Sequence, residues 1–172
     1  MTFSWGRGLY NARGSFNRWL QQNISANNWP ASITAGFNVN FEYPDVPLSF
    51  PSVAVTHLGG EAVRSEGHVV GGYLTGLYQH QLTDVSIWAS GSPGQPWIRQ
   101  LLEIRDMMGF LLVSAKSIPL LNLYTSTAAP SSIGIIRFGP GPPLEDVAAP
   151  LEPSPNIHRQ RMLVRWFYLE HI

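Results

Sequence analysis

The stretch LTDVSIWASGSPGQPWIRQLLEIRDMMGFLL, residues 82–112, decides the fold because it joins a predicted strand directly to a predicted helix. Two sets of side chains alternate along its first part: Val85, Ile87 and Ala89 on one face, and Asp84, Ser86 and Trp88 on the other. This period of two predicts a strand, whose start can lie as far back as Tyr73. The glycines and the proline of residues 90–94 then predict a turn.

The second part of the stretch predicts a helix that packs on the sheet. Its large apolar residues recur every three or four positions: Trp97, Leu101, Ile104, Met108 and Leu111. Such a stripe faces the core of a globular protein. Ser92 is a candidate N-cap with Pro93 at the first helical position, and a start at Pro96 is the alternative.

A helix and two strands are predicted before this stretch. The helix lies within residues 9–22, and the strands cover residues 37–43 and 52–58. In both strand segments, apolar or β-branched side chains alternate with others. Residues 59–76 contain six glycines, and we predict a long mobile loop or a hairpin tip there.

Three strands are predicted after the stretch, over residues 116–124, 133–138 and 161–171. The last of them, RMLVRWFYLEH, carries apolar or aromatic residues on both faces, so it belongs inside a sheet or under a neighbouring chain. Residues 139–157 are rich in proline, which predicts an extended loop rather than a helix or a central strand.

These elements predict a single α+β domain over residues 1–172: an antiparallel or mixed β-sheet with two helices packed on one face. An irregular N-terminal arm, residues 1–8, and the long loops at 59–76 and 139–157 are additions to it. Neither a secretory signal nor a membrane span is expected, because the N-terminus lacks an apolar core and no 18 apolar residues run together.

The chain is poor in charge. Charged residues make up 13% of its 172 residues, against about 25% in typical soluble domains. Ten arginines and Lys116 balance 11 acids, so the net charge is zero. Interface cores are depleted of Lys and Glu and enriched in aromatic residues and Arg. The composition favours a surface covered by other chains over an ordinary neutral protein, and it gives no support for general binding to nucleic acid or anionic membranes.

Neither the cysteine content nor the spacing of the histidines predicts a metal site, a cofactor or a catalytic residue. We therefore predict that the protein is not an enzyme. The chain has no cysteine, and its five histidines lack metal-binding spacing: His57, His68, His80, His158 and His171. The glycines of residues 59–76 do not form a phosphate-binding motif. A zinc site built from His57, His80 and a distant carboxylate is the alternative.

Ser92 is the one candidate nucleophile, because it follows a strand as the serine of a hydrolase does. Pro93 argues against this role, since it lacks the N–H that the residue after the nucleophile gives to the oxyanion hole. A small hydrolase or ligand-binding domain with a pocket near His57, His80 and Ser92 is therefore the alternative from a different class of function.

Three segments of the chain form a family-like pattern. The helix ARGSFNRWLQQNI, residues 12–24, leads into strands through the proline-rich YPDVPLSFPSVAV, residues 43–55. The strand–helix pair of residues 82–108 and the aromatic closing strand of residues 161–171 complete it. In this arrangement the chain resembles the tail terminator proteins, also called tail completion or neck proteins, of long-tailed bacteriophages.

The resemblance implies a structural virion protein, made in the host cytoplasm, that forms a ring, commonly a hexamer. This ring would end the tail tube and join the tail to the head connector. The implied partners are further copies of itself, the tail tube protein, a head–tail connector or stopper protein, and a sheath if the tail is contractile. DNA would be only cargo passing through the lumen, with no membrane, cofactor or catalytic site. Another connector, such as a stopper or a head-completion protein, is the alternative.

Six residues are predicted to make subunit or partner contacts: Phe3 and Trp5 in the arm, Arg64 and His68 in residues 59–76, and Arg165 and Phe167 in the last strand. An arginine between aromatic residues is a common composition of interface hot spots. Arg159 and Arg161 form a modest basic cluster with Arg165. Salt bridges to partners or solvated edges are the main interpretation of this cluster, and nucleic-acid contact is the alternative.

Overall fold

The computed structural model describes residues 7–26, 38–41, 50–70, 73–91, 97–124, 128–138, 144–147 and 156–171. Two helices and seven strands occur in these ranges: α1 (Arg7–Ala26), β1 (Asn38–Phe41), β2 (Ser52–Val70), β3 (Tyr73–Ser90), α2 (Trp97–Ser114), β4 (Ser117–Leu121), β5 (Ser132–Phe138), β6 (Leu144–Val147) and β7 (Ile157–His171). The predicted α+β fold is confirmed.

The strands form one mixed sheet in the order β1-β2-β3-β7-β5-β4. β1 pairs with β2 in parallel, and the remaining pairs are antiparallel. β6 pairs with the first half of β7, on residues that β5 leaves free. β7 therefore lies inside the sheet, as its two apolar faces predicted.

Both helices pack on the same face of the sheet, as predicted, and this face holds the core. The helices contribute buried residues at helical spacing: Ala12, Phe16, Leu20 and Ile24 from α1, and Leu101, Ile104, Met108, Leu111 and Leu112 from α2. The Phe16 ring stacks on Trp166 of β7, with centroids 5.5 Å apart and planes 10° apart. Offset aromatic pairs of this kind add to the free energy of apolar burial.

Two polar residues of α1 bind the end of the edge strand β4 and the turn that follows it. The Leu121 amide donates to Ser15 Oγ at 2.8 Å, and the Leu123 amide donates to Asn11 Oδ1 at 2.9 Å. An edge strand leaves such amides without partners, so α1 supplies acceptors that a further strand would otherwise provide. Gly14, between Asn11 and Ser15, lies against the Leu123 side chain, which would have to shift to make room for a larger residue.

For residues 59–76 the sequence predicts a long loop or a hairpin tip, and of these the long loop is wrong over most of its length. β2 continues to Val70 and β3 begins at Tyr73, so these residues form a long hairpin. Backbone pairing explains the error, because β3 is hydrogen-bonded to β2 on one side and to β7 on the other. Gly59 has a positive φ of 115° at a bulge between two paired segments, a conformation that favours glycine.

Other predicted boundaries also shift. The proline-rich residues 139–157 contain a four-residue strand, β6, and β7 starts at Ile157 rather than at residue 161. Arg7 and Gly8, predicted as part of the arm, belong to α1, and residues 1–6 lie outside the described residues. In each case pairing or helix packing extends an element beyond its own sequence pattern.

Candidate assembly surfaces

The side of the sheet turned away from the helices, here called the outer sheet face, carries an aromatic row. Arg137 of β5, Phe167 of β7 and His80 of β3 are direct cross-strand partners. The His80 ring stacks on Phe167 with centroids 5.5 Å apart, and Tyr78 meets the same ring edge-on at 5.8 Å. Phe167 thus contacts two aromatic residues of β3 while part of its surface stays open.

Beside this row, β5 adds exposed apolar side chains to the outer sheet face. Ile136 points into the core, so its alternating neighbours Ile133 and Ile135 point outward. Ile135 is 53% exposed. Exposed β-branched residues next to aromatic ones form a surface suited to contact with another protein.

A second apolar surface runs along α2. Four exposed residues share one side of this helix, here called the α2 stripe: Ile98, Leu102, Phe110 and Val113. Phe110 is 66% exposed. They are spaced three, four or eight residues apart, which places them on one side of the helix. The exposed Asp106 lies midway along the α2 stripe. The α2 stripe faces away from the sheet, because the opposite side of α2 is buried in the core.

The α2 stripe was not predicted, although the sequence contains its signal. The polar residues Arg99, Gln100, Glu103 and Asp106 give the side of α2 opposite the core stripe a polar pattern, but apolar residues stand between them. A second apolar line at helical spacing, outside the core stripe, is the signal that identifies it.

The predicted contact residues are placed unequally by the structure. Arg165 is exposed on the outer sheet face, and Phe167 is half-buried there in the aromatic row. Arg64 and His68 belong to strand β2, with side chains outside the described part of the chain. Phe3 and Trp5 lie outside the described residues.

A charged cluster lies on the outer sheet face at the other end of β3. Asp84 accepts hydrogen bonds from Arg161, from Nε at 2.8 Å and also from Nη2. Ser86 Oγ donates to Asp84 Oδ1 at 2.8 Å and accepts from Arg159 Nη2 at 2.7 Å. The Arg159 guanidinium also lies 4.9 Å from the centre of the Trp88 ring.

This cluster separates the three arginines that the sequence grouped together. Arg159 and Arg161 bind Asp84 of the same chain, and the Asp84 side chain is 5% exposed. Arg165 is exposed further along β7. The cluster ties β3 to β7 rather than forming an open basic patch. Charge-assisted hydrogen bonds of this kind are among the stronger ones in proteins.

A buried polar chain on the core side links α1 to three strands. Trp166 Nε1 donates to Thr83 Oγ1 at 2.9 Å, and the Thr83 hydroxyl lies 2.9 Å from His57 Nδ1. His57 Nε2 lies 2.9 Å from Asn17 Oδ1 on α1. Since that amide oxygen can only accept, Nε2 carries the proton of a neutral imidazole and Nδ1 accepts from the hydroxyl.

The protonation of His57 predicts a dependence of stability on pH. Burial, and after it the charge of Arg13, lowers the pKa of His57 from 6.5 to about 4. Between these values the unfolded chain binds a proton that the folded chain excludes, so stability falls as the pH falls from 6.5 towards 4. Discounted for partial exposure, we expect a loss of about 1–2 kcal/mol.

Urea unfolding at a series of pH values measures this loss, with His57→Gln as the matched variant. Other groups titrate in the same range, so the quantity to compare is the difference between the two proteins. A difference in unfolding free energy that stays constant between pH 7 and pH 4 would contradict the role assigned to His57.

The geometry does not support the alternative catalytic or zinc pocket. His57 lies on the core side of the sheet, whereas His80 lies on the outer sheet face. Ser92 lies outside the described residues. Among the residues that the structure describes, no group of three or more metal-ligating side chains comes together. Neither described helix is long and apolar enough to cross a membrane.

Comparison with known proteins gives a fold neighbour but no family. No protein-family model matches the chain, and no curated protein matches it. A solved structure whose name states no function has a TM-score of 0.54 and 11% identity, over 95% of this chain and 96% of that one. At this identity the likeness concerns the fold alone, and it extends over nearly the full length of both chains.

Proposed function

We propose that the chain is a structural subunit of a ring in a phage neck, which ends the tail tube and joins the tail to the head connector. The observation that carries this proposal is the presence of exposed apolar residues on both outer surfaces of a two-layer fold. The α2 stripe lies on the helix layer, and Ile133 and Ile135 lie on the reverse side of the sheet.

Two different apolar surfaces on opposite sides suit repeated head-to-tail association. Such contacts join unlike patches of neighbouring copies, and they close into a ring when the rotation between copies allows it. A twofold dimer would need only one self-complementary patch. The low charge of 13% supports the same assembly, because a neutral surface with few lysines is typical of surfaces that other chains cover.

The resemblance to tail terminator proteins supports a location of the ring at the end of the tail tube. The elements that carry it are present as a long N-terminal helix, a strand that leads into a core-packed helix, and a closing aromatic strand. On this proposal the partners are further copies in a hexamer, the tail tube protein and the connector or stopper, with DNA as cargo and a sheath only around a contractile tail.

A binding experiment with tail tubes tests the proposed location of the ring. Purified protein is mixed with tubes assembled without it, sedimented, and imaged by negative stain. We expect co-sedimentation and added density at one tube end. Binding to the head connector but not to tubes would instead favour a stopper or head-completion protein, and binding to neither would contradict the proposal.

A further inference from the structure

We propose that the α2 stripe of one copy packs against the outer sheet face of the next copy, head to tail. This inference rests on the proposed function, and it names the two surfaces that meet between neighbouring subunits. It places α2 between two sheets: its own on one side and the neighbour's on the other.

The composition of α2 gives the first reason. One side of the helix is buried against its own sheet through Leu101, Ile104 and Met108, and the α2 stripe makes a further side apolar. A helix that is apolar on more than one side is normally buried on more than one side. Within a single copy the α2 stripe is exposed, so a second surface is needed to cover it.

The outer sheet face has the form that such a helix requires. Helices pack on sheets through apolar side chains of one sheet face, as α2 does inside its own subunit. The outer sheet face offers Ile133, Ile135 and the ring of Phe167 on adjacent strands β5 and β7. The α2 stripe extends over about 22 Å at 1.5 Å per residue, which spans several strands spaced about 4.8 Å apart.

The charges make this pairing complementary. Asp106 is at the middle of the α2 stripe, with a side chain 71% exposed, and its ion pair is with the adjacent Arg105 at the surface. Arg137 is exposed between Ile135 and Phe167, and no ion pair joins it to another residue in the described part of the chain. An ion pair between Asp106 of one copy and Arg137 of the next fixes the register between copies.

The same charges argue against twofold contacts. In a twofold contact centred on these residues, Asp106 would approach Asp106 between two α2 stripes, or Arg137 would approach Arg137 between two outer sheet faces. Like charges brought together in an interface are costly, whereas the head-to-tail contact brings opposite charges together. A head-to-tail contact also leaves one free surface of each kind until the ring closes.

Crosslinking between engineered cysteines tests the contact directly, because the natural chain has no cysteine. The Leu102→Cys and Ile135→Cys variants are each prepared alone and are also co-expressed as a mixture. Every sample is then treated with a short bis-maleimide. We expect crosslinked dimers from the mixture and only background from either variant alone. Gln22→Cys, at an exposed position of α1, replaces each partner in turn as the control and should stay at background.

Charge reversal gives a second, independent readout. Asp106→Arg and Arg137→Asp should each weaken self-association by at least about tenfold, and the double variant should recover most of it. Circular dichroism and thermal melting of each variant should match the natural protein, which separates assembly from folding.

The outcomes distinguish this inference from the proposed function. Strong crosslinking of Leu102→Cys with itself, or a natural ring that neither crosslinks in the mixture nor responds to charge reversal, would overturn the α2–sheet contact and leave the ring in place. A natural protein that is monomeric would overturn both. Protection of α2 from hydrogen exchange in that monomer would assign the stripe to a segment of the same chain.

Discussion

Replacing Trp166 with alanine will destabilise the fold by about 3–5 kcal/mol, the range measured for large aromatic residues in cores. Trp166 is 1% exposed and stacks on Phe16 of α1. Its indole N–H also begins the polar chain that runs through Thr83 to His57. One side chain therefore joins the central strand to both the aromatic core and the buried hydrogen bonds.

Trp166→Phe separates these two contributions. It keeps an aromatic ring against Phe16 but removes the donor to Thr83 and part of the buried indole, so we expect a smaller loss of about 1–3 kcal/mol. Denaturant unfolding at one fixed protein concentration measures both variants, because assembly makes apparent stability depend on concentration. Equal losses for the two variants, or a loss below about 1.5 kcal/mol for Trp166→Ala, would show that the stack contributes little.

Asp84→Asn will destabilise the fold by about 2–4 kcal/mol, because it removes the carboxylate from a cluster that holds two arginines. The isosteric change creates no cavity, so the loss reports on charge. Arg161 and Arg159 are both largely covered, and without the carboxylate they keep their positive charges in a place of low exposure.

Glu103→Gln provides the matched control for this carboxylate. Glu103 makes the same kind of ion pair with Arg99, one helical turn away, but Arg99 is exposed. Exposed pairs of this type contribute about 0.3–0.5 kcal/mol, so the same acid-to-amide change should have a small effect. Comparable losses for Asp84→Asn and Glu103→Gln would mean that the cluster is not a determinant of stability.

Much of the fold could be predicted where the sequence pattern and the burial agree. The strand from Tyr73, the helix stripe of α2 and the two-sided closing strand all have a period that matches their buried faces. In each of these elements, local periodicity and tertiary packing favour the same structure.

The length of the glycine-rich hairpin could not be predicted, because its strands depend on pairing rather than on their own residues. Glycine adds backbone entropy to the unfolded chain and packs no side chain, so residues 59–76 have the composition of a loop. Hydrogen bonding from β7 to β3, and from β3 to β2, is a long-range effect that no local window contains.

The residues of the candidate surfaces also differ in whether the local sequence could predict them. Arg165 and Phe167 could be predicted as contact residues because an arginine among aromatic residues stands out along one strand. Their neighbours on the outer sheet face, His80 and Arg137, come from strands far apart in sequence, so only the register of the sheet brings them together.

The central claim is that this chain builds a ring, and the mass of the native particle tests it most directly. Native mass spectrometry of the purified protein should give one closed multiple of the 19.1 kDa chain, with a hexamer as the expected species. Negative stain of the same sample should show rings with a central lumen. A particle that stays at the mass of one chain across the accessible concentration range would contradict the account.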